Sequence, residues 1–232
     1  MTAGFEQAWR DLDLPVRCAL EQSYAALRAG GLGCGAVLTN AVGTVIAEGR
    51  NRAYDAPGGD DILQGSPIAH AEMNVLAAIE TDCDLEPCTL WTTQEPCSMC
   101  ASAVAFTGVG TVRYVAPDPW AIATDQSRLT SDAVATDPAG LHIIGPLAED
   151  SWVVAANLIF LLSIGRTRGA DHPTIVRNTE VEPETSRVAL HLVASAESAL
   201  PAVIEEFLRT SWPEIAVAAG DRARRVAASR VR

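Results

Sequence analysis

The sequence predicts an α/β domain with a parallel portion, followed by a mainly helical extension. Three observations carry this. Helix-like and strand-like segments alternate from Ala69 to Val115, an apolar hairpin precedes them, and beyond Glu149 the apolar spacing is mostly helical.

Each element has its own signal. From Glu6 to Ala29 apolar residues recur at helical intervals (Leu12, Val16, Ala19, Leu20, Tyr24, Leu27) and stop at Gly30-Gly31, which predicts one amphipathic helix. Gly35 to Thr39 and Thr44 to Glu48 read as strands joined by the turn Asn40-Ala41-Val42-Gly43. Asn51 to Pro67 is rich in Gly, Pro and Asp without periodicity, so it is an exposed loop of the kind that carries function. A helix is expected from Ala69 to Glu80, a strand from Cys88 to Thr93, a helix from Cys97 to Phe106 and a strand from Thr111 to Val115. Past Ala116, prolines 117, 119 and 138 predict mostly loop, with Leu141 to Ile144 strand-like.

The extension is expected to hold helices at Ser151 to Ile164, Glu197 to Arg209 and Pro213 to Ser229. A polar segment, Arg166 to Arg187, separates the first two, and Val188 to Val193 reads as a possible strand. The domain boundary is drawn so that 1–148 is the catalytic unit and 149–232 the extension, packed on the core or on a neighbouring subunit. The arginines near the C-terminus, among them Arg222, Arg224 and Arg225, read as a solvated helix end favoured by the dipole.

Composition narrows the function. Of 232 residues 48% are hydrophobic and 20% charged, which suits a folded protein with a sizeable core. All 17 basic residues are arginine, and the net charge of −12 opposes binding to a phosphate backbone. A small uncharged substrate is therefore favoured over nucleic acid. The most apolar run, Trp152 to Gly165, contains Asn157 and is shorter than the roughly 20 residues a spanning helix needs. With no basic-then-apolar leader at Met1 to Arg10, a soluble cytoplasmic protein is expected, and its six cysteines are expected to be reduced.

Two local features carry chemistry: His70-Ala71-Glu72 and Pro96-Cys97-Ser98-Met99-Cys100. One imidazole and two thiolates are ligands that Zn²⁺ prefers, and three protein ligands leave a fourth tetrahedral position for water, as in catalytic sites. Cys97 and Cys100, three apart at a helix start, share a face where free N–H groups stabilise thiolate. His70 stands at another helix start, so two N-termini can converge on one cation. Glu72 is the acid nearest the metal in sequence and is free to move protons. Glu86-Pro87-Cys88 repeats the first part of the cysteine motif but has Trp91 where a second ligand would stand, so Cys88 reads as strand interior; Cys18, Cys34 and Cys83 also lack a ligand partner at a telling spacing.

The order H-x-E…P-C-x-x-C is the signature of zinc nucleobase deaminases. Over about Pro15 to Pro119 the chain resembles the cytidine deaminase superfamily, with the guanine deaminase and tRNA adenosine deaminase branches nearest. The resemblance implies a three-layer α/β/α fold around a five-stranded mixed sheet, a Zn²⁺ cofactor held by His70, Cys97 and Cys100, and a homodimer. It also implies the reaction. Water activated on the metal attacks the carbon bearing the exocyclic amine, Glu72 carries a proton to the ring nitrogen and then to the leaving amine, and ammonia departs. Substrate contacts are expected from Asn51, the backbone N–H groups of Ala71 and Cys97, Asp118 and the Trp120 indole. The substrate expected first is guanine or a related amino-heterocycle, as base or nucleoside, then cytosine- or adenine-type compounds. Deamination of adenosine in tRNA is the alternative enzyme, and a non-catalytic zinc-binding interaction module the alternative of another class.

Overall fold

The structure is a computed structural model and describes residues 4–59, 61–119, 141–147, 149–195 and 199–229. Trp120 and most of the loop expected beyond Ala116 lie outside the described residues.

Two helices, α1 (Phe5–Asp11) and α2 (Leu14–Arg28), stand where one was expected. Pro15 is the reason. It lies in the first turn of α2, and in an uninterrupted helix its ring would clash with the carbonyl of Asp11. Asp13 is extended instead, with φ −52° and ψ 133°.

The sheet has five strands: β1 (Gly35–Thr39), β2 (Val45–Arg50), β3 (Thr89–Gln94), β4 (Thr111–Ala116) and β5 (His142–Ile144). Their order is β2-β1-β3-β4-β5. β1 pairs antiparallel with β2 and β3, while β3, β4 and β5 run parallel. The register sets Ala36 opposite Thr92 and Leu38 opposite Leu90, and β4 then places Val112 beside Leu90.

Alternation divides these strands between two cores. On one face Ala36, Leu38, Leu90 and Val112 meet Ala71 and Val75 of α3 (Ala71–Ala77) and Val104 of α4 (Ser98–Thr107). On the other lie α2 and α5 (Asp150–Arg168), completing the α/β/α layering. Gly49 of β2 lets α3 come close: a Cβ there would sit 2.6 Å from the Ala71 carbonyl oxygen. The start of α3 is thereby held against the sheet.

In α5 every residue from Trp152 to Gly165 is buried, so this apolar run packs within the chain, against α2, β3 and β4. A helix apolar all round has no solvent face to offer. The polar stretch expected from Arg166 to Arg187 instead contains α6 (Pro173–Val181) and leads into α7 (Pro183–Ala194), each opening on a proline whose fixed φ suits a first helical turn. α7 also absorbs the possible strand at Val188 to Val193; Thr185, Ser186, Val188 and Ala189 are buried at helical spacing.

The two terminal helices are one, α8 (Ile204–Ser229), with Pro213 inside it. An interior proline costs about 3 kcal/mol or more. Burial of Phe207, Leu208 and Trp212 before it, and of Ile215, Ala218 and Ala219 after it, offsets that cost. Arg222 is likewise no solvated end. It is 6% exposed, donates twice to Glu182 and pairs with Asp150, while Arg225 binds Glu182 and Glu184. Among the described residues no helix is long and apolar enough to cross a membrane.

Candidate active site

The two chemistry-bearing motifs adopt the same local form. His70 is the N-cap of α3 (φ −68°, ψ 160°) and Cys97 the N-cap of α4 (φ −69°, ψ 166°), with Cys100 in the first turn of α4. An N-cap residue is extended while its carbonyl already accepts a helical bond, here from Asn74 N–H at 3.0 Å and Ala101 N–H at 2.9 Å. Its side chain is therefore free to turn across the helix end. Asn74 also donates to the carbonyls of Arg50 and Ala69, tying the approach to His70 to the end of β2.

The result is a triangle of donor atoms. His70 Nδ1 lies 3.7 Å from Cys97 Sγ and 3.5 Å from Cys100 Sγ, and the sulfurs are 3.6 Å apart. Zinc bonds of about 2.3 Å to sulfur and about 2.0–2.1 Å to nitrogen, at tetrahedral angles, separate S from S by about 3.8 Å and S from N by about 3.6 Å. The three edges fit one face of that tetrahedron. His70, Cys97 and Cys100 are thus positioned to bind a metal, and this is the one such group among the described residues.

The environments drive the acidities of the two thiols apart: donation from Cys100, with help from His70 against burial, lowers Cys97 to about 4, while the same bond and burial push Cys100 far up. His70 is raised by its bond to Cys97 against the effect of burial. Zn²⁺ requires both sulfurs as thiolates, so its binding is coupled to proton release.

Glu72, 6% exposed, lies in the first turn of α3, two residues past His70. Burial raises its carboxyl above the ordinary value, partly countered by its backbone hydrogen bond and the neighbouring His70. The Thr92 hydroxyl lies 3.4 Å from its Oε1. Ala71 N–H and Cys97 N–H stand at the two helix starts, where no intrahelical acceptor exists.

Asn51 is 2% exposed. Its backbone N–H donates to the Cys34 carbonyl and its Oδ1 accepts from Ala53 N–H, which leaves its side-chain NH₂ without a partner among the described residues. Asp118 follows β4, its backbone N–H 3.2 Å from Glu95 Oε2. Cys34 belongs here too: burial pushes its thiol well up, and the nearby charges of Glu72, Asp118 and Cys97 add to this.

Spacing alone missed Thr92, Asn74 and Cys34. The period of two along β3 would have put Thr92 and Gln94 on the face of Leu90, but nothing local says that α3 covers that face.

A zinc-centred deaminase fold is the class that these layers and this triangle define. Residues 11–116 match the sequence model of the cytidine and deoxycytidylate deaminase zinc-binding region. A probable cytosine deaminase of Schizosaccharomyces pombe is 26% identical over 148 residues, 60% of this chain and 86% of that protein. A tRNA-specific adenosine deaminase of Haemophilus influenzae is 34% identical over 106 residues, 44% of this chain and 57% of that protein. A structure from a study of A-to-I editing by tRNA:A34 deaminases superimposes with a TM-score of 0.51 at 28% identity, over 62% of this chain and 97% of that one. Over residues 11–116 the chain is similar to this zinc-binding deaminase region, and it is a hydrolytic deaminase that uses zinc.

Proposed function

We propose that the protein deaminates a free nucleobase or nucleoside, guanine or a related amino-heterocycle first and cytosine- or adenine-type compounds next. The observation that carries the reaction is the three-ligand triangle with one tetrahedral position left open beside a buried glutamate. The choice of a small substrate rests on the net charge of −12, which repels a polyanion.

In this reading His70, Cys97 and Cys100 hold the ion. When bound, zinc supplies a water acidified to a pKa of about 7, so that a nucleophile exists at neutral pH. Glu72 takes a proton from the attacking water and delivers it to the ring nitrogen, then takes the second proton from the newly added hydroxyl and passes it to the amine, which leaves as ammonia as the C–N bond breaks. Its burial raises the carboxyl's affinity for a proton. Asn51 donates its free NH₂ to the substrate, and the N–H groups of Ala71 and Cys97 face the oxygen of the product. Asp118 closes the pocket; the contact expected of Trp120 lies outside the described residues.

The test is ammonia release from guanine, adenine, cytosine and their nucleosides, with zinc-loaded wild type beside Glu72→Gln. Turnover of one compound, lost in the variant at unchanged zinc content, is the expected result. Equal activity in the variant would sink the mechanism.

Deamination of adenosine in tRNA is the second reading, favoured by the likeness to tRNA deaminases. Inosine formed in an RNA stem-loop, with binding that weakens steeply as salt rises, would select it. We further propose a cytoplasmic homodimer, with 1–148 as its deaminase domain and 149–232 as a helical extension packed on it. Six free cysteines suit a reducing compartment. The outer face of α4, where Phe106 is 92% exposed, offers an apolar surface for a second copy; sedimentation of Phe106→Glu against wild type tests it.

A further inference from the structure

A cavity of about 280 Å³ opens in the helical half and shares no lining residue with the zinc-binding triangle. Its apolar walls are Leu162 of α5, Leu192 of α7, Phe207 of α8 and Leu200 from the chain just before α8. Two polar side chains join them. Arg166 follows Leu162 by four residues and Ser211 follows Phe207 by four, so each polar group shares a helix face with an apolar wall.

Neither polar group is satisfied from within the chain. Arg166, unlike the buried Arg222, is exposed, and among the described residues no carboxylate pairs with it. The dipole of α5 favours a cation in its last turn, but does not explain why that cation borders a cavity. Ser211 is 6% exposed, and its hydroxyl makes no hydrogen bond among the described residues. A hydroxyl inside a helix can turn back to the carbonyl four residues earlier, as that of Thr210 does to Glu206 at 2.9 Å. A buried polar group without such a bond points to a partner that the polypeptide does not supply.

The surroundings hold the cavity in shape and make it locally positive. Tyr24 donates to the Pro201 carbonyl at 2.9 Å and Arg28 to that of Ala202 at 2.8 Å, which fixes the segment after Leu200. The Tyr24 ring also stacks on Phe207, with centroids 5.2 Å apart. Burial raises the Tyr24 hydroxyl to about 12, while Arg28 and Arg166 lower it and Glu206 raises it. Two cations thus stand here against one anion, on a protein whose net charge is −12. An ammonium ligand would meet the like charge of Arg166, and a phosphate would find a single lining cation among apolar walls. A carboxylate on an apolar chain fits both parts, because a guanidinium can bind its two oxygens together and a hydroxyl can donate to one of them. The volume is near the lower end of the roughly 300–1,000 Å³ of small-molecule sites, which limits the chain to medium length.

We propose that this cavity binds a small aliphatic carboxylate, with Arg166 and Ser211 holding the carboxylate and Leu162, Leu192, Leu200 and Phe207 enclosing the chain. The site stands apart from the reaction and does not depend on which base the protein deaminates.

The experiment titrates octanoate into full-length, zinc-loaded protein by isothermal calorimetry, with 1-octanol and octylamine as probes that keep the chain and change the head group. Wild type is set beside Arg166→Gln, Ser211→Ala and Ser211→Leu, and melting temperature reports folding. One saturable octanoate site is expected in wild type, with weaker binding of octanol and none of octylamine. Affinity for octanoate should fall about 10- to 100-fold in Arg166→Gln and about 2- to 10-fold in Ser211→Ala, and vanish in Ser211→Leu, whose longer side chain occupies the cavity. Absence of saturable binding to wild type would overturn the proposal. So would octanol binding as tightly as octanoate, or octanoate binding unchanged in Arg166→Gln, which would place the acid elsewhere, the zinc included. Arg166 has no bonded partner to lose, so Arg166→Gln should melt with wild type and decide the matter if Ser211→Leu does not fold.

Discussion

The α3/α4 face and the α5–α8 half both bury polar groups, and they treat them in opposite ways. In the helical half the charges are closed: Arg222 with Glu182 and Asp150, Arg225 with Glu182 and Glu184. The orphans there are single oxygens of neutral groups, those of Asn157, Thr185 and Ser186. On the α3/α4 face His70, Cys97 and Cys100 turn their donor atoms toward one another, and a whole amide at Gln94 has no partner among the described residues. Paired burial holds a fold together, whereas unpaired convergent burial awaits a ligand.

That contrast can be broken by substitution. Cys97→Ser should abolish zinc retention and ammonia release while leaving the metal-free melting temperature within a few degrees of wild type; metal analysis beside calorimetry checks both. Glu72→Gln should keep the metal and lower kcat by roughly 10²- to 10⁴-fold, as measured on whichever substrate the panel identifies.

Arg222→Ala should do the reverse. It leaves buried Glu182 with Arg225 as its remaining cation and costs up to about 3–5 kcal/mol, a fall of up to roughly 6–20 °C for a chain of this size, while zinc stoichiometry at low temperature stays that of wild type. Metal loss in that variant while it remains folded would join the two regions that the comparison separates.

The smallest effect belongs to Asp55. Burial alone would raise its carboxyl, but bonds from Arg50 and Arg52 hold it below its ordinary value of 3.8. A carboxyl lowered in the folded state stabilises it above the unfolded value, and that stability is lost as pH falls through the folded one. Asp55→Asn should therefore melt below wild type at pH 7, with the gap narrowing below pH 3.8. KM should rise modestly as the loop that carries Asn51 loosens.

Legibility followed the distance over which each signal acts. The ligands were readable because the N-cap and first turn of a helix are local forms: Cys97 and Cys100 need only three residues of helix to share a face. The strands from Gly35 to Ala116 were readable because apolar alternation is local as well. Pro15 misled in one direction and Pro213 in the other. The first breaks a periodic run at Asp13, and the second is carried through because apolar residues on both sides of it are buried.

By itself the sequence determined the three residues positioned to bind a metal and the order of the elements around them, since both depend on neighbours a few positions apart. Only the tertiary structure decided that α6 and α7 are helices, that Arg222 is a buried ion pair rather than a solvated end, and that Thr92 and Gln94 face α3 and α4. Those outcomes depend on contacts between residues far apart in the chain, up to 72 positions for Arg222 and Asp150. A local pattern carries no record of which surface will cover it.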